Sequence, residues 1–180
     1  MIVGIIINET ETYAEYTAIK YTPTYTYEFS GEGLKPYLLK QQLGNDNEIS
    51  IFKQIITEAD KYNLEPTLIA SVIESESNFR EGVVSNAGAI GIMQIMPPTG
   101  EWLARLLEKE YKEEYLYDPL YNIELGCFYL NMLLDRYDGN IHSALTAYNR
   151  GIGGLEEFKR KNKTTISGYS EKIIERVEQY

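Results

Sequence analysis

Glu76 is the side chain whose setting points most directly to acid–base chemistry. At about 100° per residue, Ile69, Val72, Ile73 and Glu76 fall on one helical stripe, while Glu74 points well away. A carboxylate that continues an apolar stripe is costly, because burying its charge is unfavourable unless it is paired or protonated. Such burial raises the carboxyl pKa, so the group keeps a proton near neutral pH and can give it to a leaving oxygen. The helix alone fits a second reading equally well, a buried Glu neutralised by a Lys or Arg partner. Glu74 reads as part of a solvated face.

A second group of candidates follows at residues 85–97, SNAGAIGIMQIMP. Its glycines suit tight turns and close backbone approach. Gln94 places an amide that donates and accepts beside the soft, apolar Met93 and Met96. Sugars present hydroxyl edges and hydrophobic ring faces, and such a surface matches both. Composition alone is also compatible with a buried loop whose Met residues fill the core.

Helices must position these groups. Pro66 suits a first helical position, and Leu68, Ile69, Val72 and Ile73 set the face behind Glu76. Upstream, Asn47 is a good N-cap for an amphipathic stripe of Ile49, Phe52, Ile55, Ile56 and Ala59. Thr99 is positioned to cap a helix carrying Trp102, Leu103, Leu106 and Leu107. Asp118-Pro119 is an N-cap followed by a first-turn proline, and the helix it opens, with Ile123, Leu130, Leu133, Leu134 and Tyr137, stops at Asp138-Gly139. Residues 141–149 form another helix, broken by Gly151, Gly153 and Gly154. A last amphipathic piece over 169–180 turns Ile173, Ile174 and Val177 inward. Short connections imply that these helices pack on one another.

Three blocks in order make a resemblance specific: Glu76-Ser77-x-Phe79 with Ser85 and Gly88-Ala89-x-Gly91-x-Met93-Gln94-x-Met96-Pro97-x-Thr99; Asp118-Pro119-x-x-Asn122-Ile123-x-x-Gly126-x-x-Tyr129-Leu130; and Ala144-Leu145-x-Ala147-Tyr148-Asn149-x-Gly151. Over residues 64–153 the chain resembles the soluble lytic transglycosylase family, lysozyme-like enzymes that cleave peptidoglycan. The resemblance implies a mainly α, lysozyme-like α+β fold over 47–180 with a glycan groove between lobes. By matched position it implies that Glu76 is the sole catalytic acid/base, that Ser85, Gln94, Met96 and Tyr148 line the groove, and that Tyr148 lies close to the acid. Ser77 belongs with the substrate-binding set and can also cap the catalytic helix; Asn149, in the same set, fixes the turn after its helix. The implied reaction is cleavage between N-acetylmuramic acid and N-acetylglucosamine with closure of a 1,6-anhydro ring. A hydrolytic muramidase and a non-catalytic wall-binding or assembly component are the alternative readings. The chain departs from the family pattern at Arg80-Glu81, where Asn-Pro is usual, at Arg150, where a small residue is common, and at Thr165, where many members carry a Glu four residues before the Tyr aligned with Tyr169.

The rest of the sequence bounds these readings. A length of 180 residues fits one domain with a real core, and the net charge of −10 argues against nucleic acid as a partner. It also provides no long-range attraction to an anionic cell wall. Cys127 is the lone cysteine, which excludes an intramolecular disulfide and a thiolate cluster; within a helical pattern it reads as a small buried hydrophobe. His142 is also alone and reads as a capping or surface residue, so no metal and no cofactor are expected. Residues 1–46 read as a β-rich arm or docking segment for an assembly partner: an apolar run at 1–7, Thr alternating with aromatics at 22–29, a turn at 31–33 and a weak helix at 35–43. The apolar start lacks the basic residues and length of a secretory signal, and no stretch is long enough to span a bilayer. Action at the cell wall or periplasm would then need delivery by a phage particle, holin-assisted release, a secretion machine, or prior removal of a signal.

Overall fold

The computed structural model describes residues 46–179. The apolar start, the Thr/aromatic alternation, the turn and the weak helix expected before residue 46 lie outside the described residues.

Six helices and one 3-10 turn make up the described chain: α1 (Asp46–Tyr62), α2 (Pro66–Glu76), α3 (Pro97–Leu106), the turn Glu113–Tyr117, α4 (Pro119–Arg136), α5 (Ile141–Asn162) and α6 (Gly168–Val177). The mainly helical class expected from periodicity is the one found. Among the described residues, β pairing is limited to isolated bridges, Val84 with Ile90 and Ile90 with Ile95.

Helix α4 is the centre of the packing, against α1, α3, α5 and the 3-10 turn. It buries Ile123, Leu125, Cys127, Leu130 and Leu133 around its circumference, as a helix surrounded by others must. Each large aliphatic side chain so buried contributes about 1.5–3 kcal/mol. Cys127 is fully buried and free, in keeping with a small core hydrophobe. Helix α2 packs on α1 and α6, with Ile69, Val72 and Ile73 fully buried.

Local chemistry sets several boundaries as expected. Pro66 opens α2, and the Asp118 carboxylate accepts from the backbone N–H of Leu120 at 2.8 Å and of Tyr121 at 3.0 Å to open α4. Asp138 and Gly139, both at positive φ, end that helix. On α6, Ile173 is fully buried, and Ile174 and Val177 pack against the core.

Other expectations are corrected. Helix α1 already includes Asp46, so Asn47 lies within the helix rather than ahead of it. Its buried face is Ile51, Phe52, Ile55 and Ala59, and Ile56, one residue round the helix, is 39% exposed. Thr99 does not cap α3: Met96 stands at the N-cap, no side chain accepts there, and Pro97-Pro98 fill the first turn. Two prolines remove two of the orphan N–H groups a cap would satisfy. Of the three glycines expected to end α5, only Gly151 leaves helical geometry (φ 73°, ψ 163°); the helix kinks there and resumes to Asn162.

Candidate active site

Glu76 is the last residue of α2, half-buried, where the apolar face of that helix meets α6. The hydroxyl of Tyr169, one residue into α6, donates to Glu76 Oε1 at 2.5 Å. No Lys, Arg or His among the described residues pairs with this carboxyl. Burial pushes its pKa up, and the Tyr169 hydrogen bond pulls the other way to a smaller extent. Of the two readings the bare helix left open, the geometry is that of the unpaired acid.

Two phenols flank it. Tyr148 of α5 donates to the Met93 carbonyl at 3.0 Å, and its ring lies 5.4 Å from that of Tyr129. Burial raises the pKa of Tyr148 and of Tyr169, and the charge of Glu76 raises both further. Both phenols therefore remain donors across the working pH range. Glu74, expected on a solvated face, is instead covered by α6: its Oε2 stands 3.7 Å from Arg176 Nε, and its side chain is 17% exposed. The stripe argument separated the two acids in direction, but a second helix packs over both.

The Gly-rich segment is a closed, hydrogen-bonded loop between α2 and α3. Ile90 and Ile95 exchange backbone hydrogen bonds at 2.9 Å, and Gly91 N donates to Val83 O. The amide of Gln94, at φ 53°, donates to Val83 O at 3.0 Å and Gly91 O at 2.8 Å. Both of its N–H donors thus hold the loop, while its oxygen accepts from none of the described residues. Ser85 Oγ accepts from Ala89 N at 3.0 Å, which leaves its own O–H to donate outward.

Asn122, fully buried on α4, fastens this loop to the helical core. Its Oδ1 accepts from Met93 N at 2.7 Å, and its Nδ2 donates to Ile90 O at 2.9 Å and Leu116 O at 2.8 Å. Gly91 makes that approach possible: a Cβ there would lie 2.3 Å from both Asn122 Nδ2 and Leu116 O. Gly126 likewise leaves room for Met93, whose Sδ would be 2.4 Å from a Cβ.

The expected site residues thus fall into two groups. Glu76 and Tyr148 come together, and Gln94 follows directly on the Met93 carbonyl that Tyr148 holds. Ser77 is 2% exposed and its hydroxyl donates to Ile73 O at 3.2 Å, beneath the end of α2. Ser85 and Met96, at opposite ends of the loop, and Asn149, exposed beside the Gly151 kink, make no hydrogen bond to the cluster among the described residues. Met96 is 39% exposed. Tyr169 and Asn122 had no role from sequence; Asn122 stood in an aligned block without one, and Tyr169, 93 residues from its partner, was only a position aligned with a family Tyr. His142 Nδ1 lies 3.0 Å from Ser170 Oγ, tying α5 to α6.

A helix-end acid with a Tyr partner thus stands in a helical domain whose Gly-rich loop is pinned to the core by a buried Asn. Residues 53–169 match the family model for the Transglycosylase SLT domain, and the chain belongs to that family. It is similar to the membrane-bound lytic murein transglycosylase C of Actinobacillus pleuropneumoniae serotype 5b, 37% identical over 107 residues, which are 54% of this chain and 29% of that protein. The protein of the same name from Serratia proteamaculans is 32% identical over 120 residues, 61% of this chain and 34% of the other. The chain therefore spans about a third of the length of these relatives. Among solved structures it is similar to an inactive Glu-to-Gln mutant of lytic transglycosylase Slt from Pseudomonas aeruginosa (TM-score 0.57, 28% identity, covering 69% of this chain and 20% of the other). The 70 kDa soluble lytic transglycosylase of Escherichia coli shares the fold (TM-score 0.62, 21% identity, covering 69% and 23%).

Proposed function

We propose that this domain cleaves the β-1,4 bond between N-acetylmuramic acid and N-acetylglucosamine in peptidoglycan and leaves 1,6-anhydromuramic ends. The observation that carries the reading is Glu76: half-buried, its pKa raised by burial, hydrogen-bonded to a phenol and unpaired with any cation among the described residues. Glu76 protonates the glycosidic oxygen, and that C–O bond breaks. The N-acetyl group of the substrate supports the positive charge growing at the muramic anomeric carbon. Glu76, now anionic and held by Tyr169, takes the proton of the C6 hydroxyl, whose oxygen closes on the anomeric carbon. The proton returns to the acid and no water is consumed. Acid–base help of this kind is worth about 10²–10⁴-fold in rate.

A single carboxyl suffices because the substrate supplies the second nucleophilic group. No carboxylate among the described residues contributes to the pKa of Glu76, and position 165, where many family members carry Glu, is Thr. That favours ring closure over hydrolysis, which needs a second acid or a fixed water. The oxygen of Gln94, the hydroxyl of Ser85 and the side chain of Met96 would meet the sugars. Ser77 acts by holding the helix end, and Asn149 by shaping the exit of α5. The site of action is the cell wall or periplasm, and residues 1–46 serve as an arm that docks on the domain or on an assembly partner. Mass spectrometry of digested sacculi tests the reaction: anhydro ends are expected, and reducing ends would overturn it in favour of a muramidase.

A further inference from the structure

The second half of α5 is unlike the rest of this acidic chain. Residues 150–163 hold Arg150, Lys159, Arg160, Lys161 and Lys163 against Glu156 and Glu157, a net of +3 in a chain whose total is −10. The helix macrodipole favours cations at a C-terminus, but it does not account for Arg150 at the other end. Lys161 pairs with Glu157 at 2.5 Å. Lys159, Arg160 and Lys163 are exposed, and no carboxylate among the described residues lies within ion-pair distance of them.

This basic run is an arm whose two ends are both set at the reacting centre. It leaves at the Gly151 kink, three residues past Tyr148, and it returns at Ser167, two residues before Tyr169. Thr146 Oγ1 closes its base, bonded to Thr165 O and to Ser167 Oγ at 2.8 Å each. Leu155 is buried in the core, and the Arg150 guanidinium lies 4.9 Å over the ring of Phe158. The helical residues 152–162 rise about 16 Å. The cations thus stand on a support whose two ends join the segments that carry Tyr148 and Tyr169.

We infer that this arm binds the carboxylates of the peptide stems on a peptidoglycan strand whose glycan lies at Glu76. The inference rests on the reading under Proposed function and adds what part of the substrate the domain recognises beyond the sugars. A peptide stem of four or five extended residues reaches about 15 Å, a length comparable with the rise of the arm. Exposed cations opposite mobile anions steer association and are screened by salt. The net charge of the whole chain repels an anionic wall, so a local cationic face supplies the attraction the total lacks.

The test separates binding from cleavage. In a Glu76→Gln background, co-sedimentation is measured with peptide-bearing sacculi and with peptide-free glycan strands. Combining Lys159→Gln, Arg160→Gln and Lys163→Gln is expected to weaken binding to sacculi about tenfold at low salt and to leave peptide-free glycan unchanged. High salt should remove the difference, and exchanging Lys for Arg and Arg for Lys at the three positions should restore it. Equal loss on both glycans, or loss on neither, overturns the inference. So does binding of the parent protein to phosphatidylglycerol vesicles that the triple variant loses while binding sacculi normally. If the unmutated protein cleaves neither substrate, the reading of Glu76 fails by itself, since the sedimentation result does not depend on turnover.

Discussion

At Glu76 two opposing influences meet, burial raising the pKa and the Tyr169 phenol lowering it less, and the balance leaves the carboxyl above its ordinary pKa. Glu76→Gln keeps the shape and removes the proton cycle, so cleavage of sacculi should fall by at least 10²-fold. Glu74→Gln should retain turnover. Its cost is structural, about 1–3 kcal/mol in denaturant melts, because Arg176 loses its charged partner and already has a buried Nη1 without a hydrogen bond. Equal loss of activity in both variants would contradict the division of roles between the two acids. Tyr169→Phe removes a donor that favours the anion, so the pKa of Glu76 must rise further. Activity that depends on the protonated acid is lost as pH climbs through that pKa, and the alkaline limb of the kcat/KM profile should therefore move to higher pH. A limb that stayed in place would mean that the phenol does not act on the acid.

Among the elements, the loop between α2 and α3 is held by two anchors, Asn122 of α4 and Tyr148 of α5. Asn122 satisfies three backbone groups across a buried contact, and each buried group left without a partner costs about 1–3 kcal/mol. Asn122→Ala is expected to destabilise the domain by about 3 kcal/mol or more. Activity should fall beyond what the unfolded fraction explains, because Gln94 and Ser85 ride on the loop. Gly91→Ala attacks the same joint from the other side: its φ of 83° is unsuited to a Cβ, and the added carbon would collide with the Asn122 amide. Thermal melts and turnover at a temperature where each variant is folded check both. The kink at Gly151 plays a different part, since it lets one helix both hold Tyr148 and extend into the basic arm.

The fold as a whole is strained by its acid. Glu76 has a folded pKa above its ordinary value, so the stability it allows is fully present below about pH 4.3 and is lost as pH rises through the raised folded pKa. Glu76→Gln should therefore raise the melting temperature at alkaline pH and change it little near pH 4. Glu58 of α1, 2% exposed and with a pKa raised mainly by burial, carries the same sign. Its partners Gln54, at 2.8 Å, and Lys61, at 3.3 Å, offset part of that burial. Glu58→Gln should show a smaller gain in the same window, and a loss at alkaline pH would show that the Lys61 pair outweighs desolvation. No helix among the described residues is long and apolar enough to cross a membrane.

Much of this was legible in the chain itself because it is local. The direction of Glu76 against Ile69, Val72 and Ile73 follows from helical period, and the starts at Pro66 and Asp118-Pro119 follow from orphan N–H groups and the fixed φ of proline. The ordered blocks named the family. Periodicity also fails where two answers differ by one step round a helix, as at Ile56. Tertiary structure alone decided what touches what over long separations: Tyr169 on Glu76, Arg176 on Glu74, Asn122 on the loop, and Thr146 across the base of the arm. Each of these depends on the rotation and sliding of one helix against another. That register is set by the fit of whole packed faces, which no local run of residues contains.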